Sequence, residues 1–194
     1  MSRLQTSFVL GYYGCDKAIG EKVLAGEARL TKSDEDYDWL GPGIYFWESD
    51  PKRALEWAEE KVSSGRYDQP FVIGVVLDLG NCLDLMSREN LMYLKGAYES
   101  LRVANKAAGL GPLPKNTGKA PDMAGRFRDC AVIRHLHAAM EADGDPFDTV
   151  RGLFTEGKKN FPGGGFLEKT HVQISIFNPT AIKGVFRVDE TEFN

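Results

Sequence analysis

The segment Phe71–Leu79, with the sequence FVIGVVLDL, limits the fold of this chain more than any other stretch. Its apolar residues follow one another almost without a break, instead of alternating with polar ones. Such a run is typical of a strand whose two faces are both covered, because a strand with one face in water alternates in polarity. The sequence therefore predicts a β-sheet in which this strand is buried on both sides.

The composition is that of an ordinary globular protein, with 42% hydrophobic and 27% charged residues among 194. This length predicts a single domain over residues 1–194. A net charge of −4 argues against a broad electrostatic surface for nucleic acid. The three cysteines are scattered and form no CxxC pair, which favours a reduced, cytoplasmic protein, and the three histidines complete no zinc pattern.

The chain also shows no sign of membrane targeting. Residues 1–10 lack a basic start followed by a long apolar run, so we expect no signal peptide. No stretch approaches the ~18 apolar residues that a membrane span needs. We therefore expect no membrane partner. Because the histidines and cysteines form no zinc pattern, we also expect no metal ion.

Helix caps and turn residues mark the remaining elements. Asp16, Asp50 followed by Pro51, Ser87 and Asp129 are each placed to begin a helix. The predicted helices are Lys17–Ala25, Pro51–Val62, Ser87–Ala108 and Cys130–Ala142, and the predicted strands are Ser7–Gly14, Leu40–Trp47 after its Gly/Pro turn, Phe71–Leu79, Thr170–Phe177 and Ile182–Val188. Gly109–Gly125 is predicted to be an irregular loop, and Phe147–Phe161 is ambiguous. The mixture predicts an α+β domain.

Two segments carry a resemblance to a known superfamily. The first is YYGC, Tyr12–Cys15, and the second is GPGIYFWESDPKRALEWA, Gly41–Ala58. Together they resemble the NAD-binding half of the ADP-ribosyltransferase superfamily, in its diphtheria-toxin and poly(ADP-ribose) polymerase branch. The chain is similar to a bacterial family within it, with later landmarks at Asp129–Ile133, Phe147–Gly157 and Lys169–Ile174. The resemblance implies split mixed and antiparallel sheets, flanked by helices, around a cleft for NAD, which is consumed as a substrate.

Three residues are predicted to hold the nicotinamide ring. This ring is flat and cationic, so two aromatic faces can grip it, each contact contributing ~0.5–2 kcal/mol. Tyr45 and Trp57 match the two aromatic positions of the superfamily. Gly14 leaves backbone groups open to the carboxamide because it has no Cβ. The alternative is that both aromatics are ordinary core residues and that Gly14 only ends a strand.

Other site residues follow from the same resemblance. Tyr13 matches a histidine that bonds the adenosine-side ribose. Gln173 matches the catalytic glutamate, which bonds the nicotinamide-side ribose and stabilises the developing cation. In a strand, His171, Gln173 and Ser175 share one face, which either lines the NAD cleft, with His171 as a further binding residue, or is the solvated face of an edge strand. Glu156 is the second candidate acid and would orient the acceptor.

An arginine and a glycine-rich segment are two further candidate features of the site. Arg151 is a candidate for a bidentate contact with the NAD pyrophosphate, and its alternative is a surface salt bridge. Phe161–Phe166, with the sequence FPGGGF, is either a mobile loop beside the acceptor site or a plain flexible turn. It is no dinucleotide-binding loop, because it neither follows a strand nor opens a helix.

The resemblance implies a mono-ADP-ribosyltransferase with Tyr45, Gln173 and Glu156 as its catalytic residues. Its acceptor would be a macromolecule, either protein, RNA or DNA. Enzymes of this kind often act as bacterial toxins or phage-defence effectors, and a toxin would have an antitoxin as a partner. Two other functions stay open: a non-catalytic module that binds NAD or ADP-ribose, and an NAD glycohydrolase.

Overall fold

The computed structural model describes residues 8–118 and 125–193. Its strands are β1 (Phe8–Asp16), β2 (Ile44–Glu48), β3 (Pro70–Asp78), β4 (Cys82–Asp84), β5 (Thr149–Phe154), β6 (His171–Ile176) and β7 (Ile182–Arg187). Its α-helices are α1 (Lys17–Leu24), α2 (Pro51–Ser63), α3 (Arg88–Ala107) and α4 (Phe127–Ala142). Two short 3₁₀ helices, Pro179–Ala181 and Glu190–Phe193, precede and follow β7.

The strands form one mixed sheet in the order β4-β5-β6-β2-β1-β3-β7. The pair β4 and β5 is parallel and the other neighbours are antiparallel. One face of the sheet packs against α1 and the chain after it. The other face packs against α2 at one end and against α3 and α4 at the other. The fold is therefore α+β, as the sequence predicted, but its described strands form one seven-stranded sheet rather than the split sheets that the resemblance implied.

Strand β3 is buried on both faces, which confirms the prediction from its apolar run. Its neighbouring residues Val72 and Ile73 point to opposite faces and are 3% and 0% exposed. Ile73 packs in the core under α1, whereas Val72 packs in the core under α2. The strand lies between β1 and β7, so its backbone is paired on both edges as well.

The caps of the first two helices also confirm their predictions. Asp16 Oδ1 accepts from the Ala18 N–H at 2.9 Å, and Asp50 Oδ1 accepts from the Arg53 N–H at 2.9 Å. These carboxylates satisfy backbone donors that the first helical turn leaves without partners. Helix α3 begins at Arg88 after Ser87, but the Ser87 side chain makes no capping hydrogen bond.

The start of α4 differs from the prediction. The helix begins at Phe127 rather than Cys130, and Asp129 lies in its first turn. Asn116 supplies the cap instead, because its Oδ1 accepts from the N–H groups of Arg128 and Asp129 at 2.9 and 3.3 Å. The predicted loop Gly109–Gly125 falls partly outside the described residues, and its described ends are joined by a bridge between Thr117 and Gly125. The ambiguous stretch Phe147–Phe161 contains β5.

Strands β1 and β2 separate soon after they meet. They pair at Gly11 with Glu48 and at Tyr12 with Trp47. Beyond that point β1 continues to pair with β3 as far as Asp16, whereas β2 continues with β6 as far as Ile44. The end of β1 and the start of β2 are thus held by different neighbours, and a space opens between them.

Helix α2 lies unusually close to β1 at Gly14. A Cβ built on Gly14 would lie 2.3 Å from the carbonyl oxygen of Ala54. Real Cβ atoms do not approach a backbone oxygen so closely, so the helix could not take this position beside a larger residue. Gly14 is therefore required for helix packing, whatever it offers to a ligand.

We predict that Gly14→Ala lowers the free energy of unfolding by ~1–3 kcal/mol, because overpacking moves α2 away from the sheet. The matched control is Gly96→Ala in α3, where an added Cβ meets nothing within 4 Å. That change should raise the free energy of unfolding by ~0.5–1 kcal/mol through helix propensity. Urea unfolding measures both. Wild-type stability of Gly14→Ala would contradict the close helix–strand contact.

Candidate functional site

A cavity of about 630 Å³ opens where β1 and β2 separate. This volume falls within the ~300–1,000 Å³ of small-molecule sites. Residues of β2 and β6 form its floor, and residues of α2 and of the loop before β2 form its walls. The lining includes Tyr13, Gly14, Asp38, Trp39, Tyr45, Trp47, Arg53, Trp57, Lys61, Arg66, Tyr67, Glu156 and Gln173.

Most of the predicted site residues meet in this cavity. The six that line it are Tyr13, Gly14, Tyr45, Trp57, Glu156 and Gln173. They come from five separate segments of the chain: β1, β2, α2, the segment after β5, and β6. Two of the predicted binding residues, His171 and Arg151, do not line the cavity, although His171 Nε2 lies 3.1 Å from Nε2 of Gln173.

Arg151 does not belong to the cavity. Side chains alternate along β5, and Arg151 pairs with Ile174, so it points away from the face that carries Gln173. Its guanidinium donates to Glu48 Oε1 at 2.7 Å and to Asp84 Oδ2 at 3.1 Å. These ion pairs correspond to the salt-bridge alternative, and Arg151 does not line the cavity, so the arrangement favours that alternative over a pyrophosphate contact.

The Tyr45 side chain is fixed on the cavity floor. Its hydroxyl donates to the Gly41 carbonyl at 2.6 Å and accepts from the Leu40 N–H at 2.9 Å. Burial raises its pKa well above that of a free tyrosine. The neutral hydroxyl therefore holds the turn before β2, and the ring is what the residue can offer to a ligand.

Trp57 lines the cavity from the helix wall. Its ring centroid lies 5.7 Å from that of Trp47 and 5.9 Å from that of Tyr67. The Lys61 ammonium lies 4.5 Å from the Trp57 ring centroid, so this aromatic face already attracts a cation. Tyr45 and Trp57 thus present rings from the sheet and from the helix.

Tyr13 borders the cavity from the end of β1. Its ring packs against Phe46, with 5.8 Å between the centroids. Burial raises the pKa of Tyr13 to about 12. The hydroxyl is therefore neutral at physiological pH and can both donate and accept a hydrogen bond.

Strand β6 is not an edge strand, because it lies between β5 and β2. His171 and Ser175 are 4% and 0% exposed, so the face that they share with Gln173 is not solvated. Gln173 pairs with Trp47 on one side and with Gly152 on the other. Its amide Nε2 lies 3.1 Å from Nε2 of His171. The edge-strand alternative is therefore wrong.

Glu156 forms an ion pair with a residue that the sequence did not single out. Arg53 Nη2 donates to Glu156 Oε2 at 3.0 Å, and the two side chains are 11% and 17% exposed. Arg53 lies one helical turn before Trp57, so the i, i+4 spacing could have indicated that both face the same side of α2. Its partner, 103 positions away, could not be foreseen.

The charged lining is mixed. The basic residues of the lining are Arg53, Lys61 and Arg66, and the acidic ones are Glu35, Asp38 and Glu156. Within the described residues, Nε and Nη1 of Arg53 are buried without a hydrogen-bond partner, although Nη1 lies 3.9 Å from Glu56. Burial lowers the pKa of Lys61 and raises that of Asp38. Buried donors without partners favour a ligand that brings acceptors.

The glycine-rich segment Phe161–Phe166 lies in the connection between β5 and β6. Lys159 and Leu167 bridge its ends, and Phe161 and Phe166 are 53% and 72% exposed. None of its residues lines the cavity. The connection nevertheless begins near Glu156 and returns to β6 beside His171.

Comparisons of this chain with family models, with curated proteins and with solved structures found no match. Among the described residues, no helix is both long enough and apolar enough to cross a membrane. No three His, Cys, Asp or Glu residues in the described ranges lie together as metal ligands would.

We predict that Tyr45→Phe lowers the free energy of unfolding by ~1–2 kcal/mol, because two backbone groups lose their hydrogen-bond partner. Tyr67→Phe is the matched control. Tyr67 lies in the same cavity, and its hydroxyl has no hydrogen bond to any described residue. Urea unfolding should show almost no change for the control. Equal stability of the two variants would contradict the role of Tyr45 in holding the turn.

Proposed function

We propose that this protein binds NAD in the cavity between β1 and β2 and transfers a single ADP-ribose to a macromolecular acceptor. One observation carries the proposal. Tyr13, Gly14, Tyr45, Trp57 and Gln173, which match site positions of the ADP-ribosyltransferase superfamily in order along the chain, line one cavity. Residues that form a core by chance would have no reason to surround the same opening.

The residues that line the cavity could contact each chemical group of NAD. The rings of Tyr45 and Trp57 would contact the cationic nicotinamide, and the backbone of Gly14 would face its carboxamide. The neutral hydroxyl of Tyr13 would bond the adenosine-side ribose. Lys61 and Arg66 replace Arg151 as partners of the pyrophosphate, because they line the cavity and Arg151 does not.

The proposed reaction replaces one bond to the ribose by another. The bond between the nicotinamide nitrogen and the ribose C1′ breaks, and nicotinamide leaves with the electron pair. A nucleophilic oxygen or nitrogen of the acceptor bonds to C1′ and gives up its proton. Gln173 would hold a ribose hydroxyl but cannot take this proton at neutral pH. Glu156 is the carboxylate of the cavity lining closest to β6 in sequence, and it is our candidate base.

A second function, a non-catalytic module that binds NAD or ADP-ribose, is favoured by one specific observation. Gln173 is not a base, and Glu156 is engaged by Arg53. Incubating the pure protein with NAD and measuring free nicotinamide separates a binder from an enzyme. Mass analysis of lysate protein and RNA then separates transfer from simple hydrolysis, in which water is the acceptor. A role as a toxin or phage-defence effector, with an antitoxin as partner, rests on the resemblance alone.

We predict that Trp57→Ala weakens NAD binding more than about tenfold, since a ring contact worth over ~1 kcal/mol is lost. Calorimetry measures the affinity, and circular dichroism checks the fold. Tyr93→Ala is the matched control, because Tyr93 is an exposed aromatic residue of α3 outside the cavity. Unchanged NAD affinity in folded Trp57→Ala would remove Trp57 from the site. This test is cleaner than Tyr45→Ala, which also disrupts the turn.

We predict that Glu156→Gln lowers the rate of ADP-ribose transfer by ~10²–10⁴-fold, the usual value of general-base help, and leaves NAD affinity near that of the wild type. The amide oxygen can still accept from Arg53, so the wall of the cavity is preserved. Glu168→Gln, at an exposed position of the same connection, is the control. Equal losses of transfer in both variants, or long ADP-ribose polymers as the product, would refute this mechanism.

A further inference from the structure

His171 is enclosed by aromatic and backbone contacts at the start of β6. It is buried, with ring centroids of Trp47 and Phe154 at 6.5 and 6.0 Å. Its Nδ1 lies 2.7 Å from the carbonyl oxygen of Lys169. A carbonyl oxygen only accepts hydrogen bonds, so Nδ1 carries a proton.

The other ring nitrogen has to be an acceptor when the imidazole is neutral. Burial lowers the pKa of His171; the Lys169 carbonyl and the charges of Glu156 and Asp50 act in the opposite direction, and Arg53 adds to the lowering. Neutral His171 with its proton on Nδ1 leaves a lone pair on Nε2. Gln173 Nε2, at 3.1 Å, must therefore donate to it.

This hydrogen bond sets the direction of the Gln173 amide. With its nitrogen turned toward His171, the carbonyl oxygen Oε1 points the other way. In the described part of the chain Oε1 has no hydrogen-bond partner, and Gln173 lines the cavity. An amide free to rotate could offer either an acceptor or a donor, whereas this one offers an acceptor.

We propose that His171 is a positioning residue that keeps the Gln173 carbonyl oxygen toward the cavity, so that the site selects a ligand presenting a hydroxyl donor there. The inference rests on the proposed function in naming that donor as a ribose hydroxyl of NAD. Glutamate needs no such partner, because both of its oxygens accept. A glutamine at this position does need one.

The arrangement makes ligand binding depend on pH. Protonated His171 carries N–H groups on both nitrogens, and its Nε2–H cannot accept from Gln173. The amide then rotates by half a turn, so that Oε1 accepts from His171 and the NH₂ group faces the cavity. A donor would meet the ribose hydroxyl in place of an acceptor. Affinity for NAD should therefore fall as the pH decreases through the pKa of His171.

The first experiment uses the ligand-free wild-type protein. Long-range ¹H–¹⁵N correlation spectra of histidine-labelled protein report which ring nitrogen is protonated. The chain has three histidines, and a His171→Phe spectrum assigns the signal. We expect neutral His171 protonated on Nδ1 at neutral pH. A proton on Nε2, or an imidazolium at neutral pH, would overturn the inference even if NAD binds.

The second experiment measures NAD affinity from about pH 8 down to about pH 4, a range extended below that of ordinary histidines because burial lowers the pKa of His171. The NAD affinity of the wild type should fall about tenfold or more, which is the usual cost of a reversed hydrogen bond. The midpoint of this change should coincide with the His171 titration seen by NMR. His171→Phe should bind more weakly at pH 8 and lack this transition, whereas His135→Phe on α4 should keep it. The same transition in His171→Phe would refute the positioning role. Absence of NAD binding at every pH would refute the proposed function and the ribose ligand, while the NMR result still decides the amide orientation.

Discussion

The separation of β1 from β2 after Tyr12 and Trp47 is the constraint on which the cavity depends. On their outer edges β1 pairs with β3 along its whole length and β2 pairs with β6 from Ile44 to Trp47, so the two halves of the sheet need not follow each other. On the opposite face the halves are joined by a continuous core around fully buried Phe46. The sheet can therefore open on the side of α2 without losing its packing on the side of α1.

Local sequence signals predicted most of the helices and strands. Long-range contacts explain why the remaining ones were misplaced or not predicted. Asp16 and Asp50 act within two or three residues of themselves, so their helices could be placed from sequence. Helix α4 was misplaced because its cap, Asn116, lies more than ten positions before it. The three-residue strand β4 is too short to show a period, and β5 is recognised only by its partners.

Six of the predicted site residues line the cavity although they come from five segments, whereas the positions of Arg151 and Arg53 depend on contacts that the sequence does not show. Tyr45 and Trp57 lie within one matching stretch, so their order along the chain sufficed. Arg151 lies outside the cavity because the face that a strand residue takes depends on a register that alternates with every position. Arg53 was missed for a related reason, since its ion-pair partner, Glu156, comes from across the sheet.

Two polar groups of the cavity, those of Gln173 and Glu156, are each held by a neighbouring residue, and this limits the chemistry that we propose. Gln173 is held by His171 within one strand, and Glu156 is held by Arg53 of the facing helix. Departure of nicotinamide needs a polar group on the ribose but no proton acceptor at that place, whereas activation of an acceptor needs a base. Polymer synthesis would require both tasks at the ribose hydroxyl itself, where an amide cannot take a proton. Division of the two tasks between Gln173 and Glu156 therefore supports transfer that stops after one ADP-ribose.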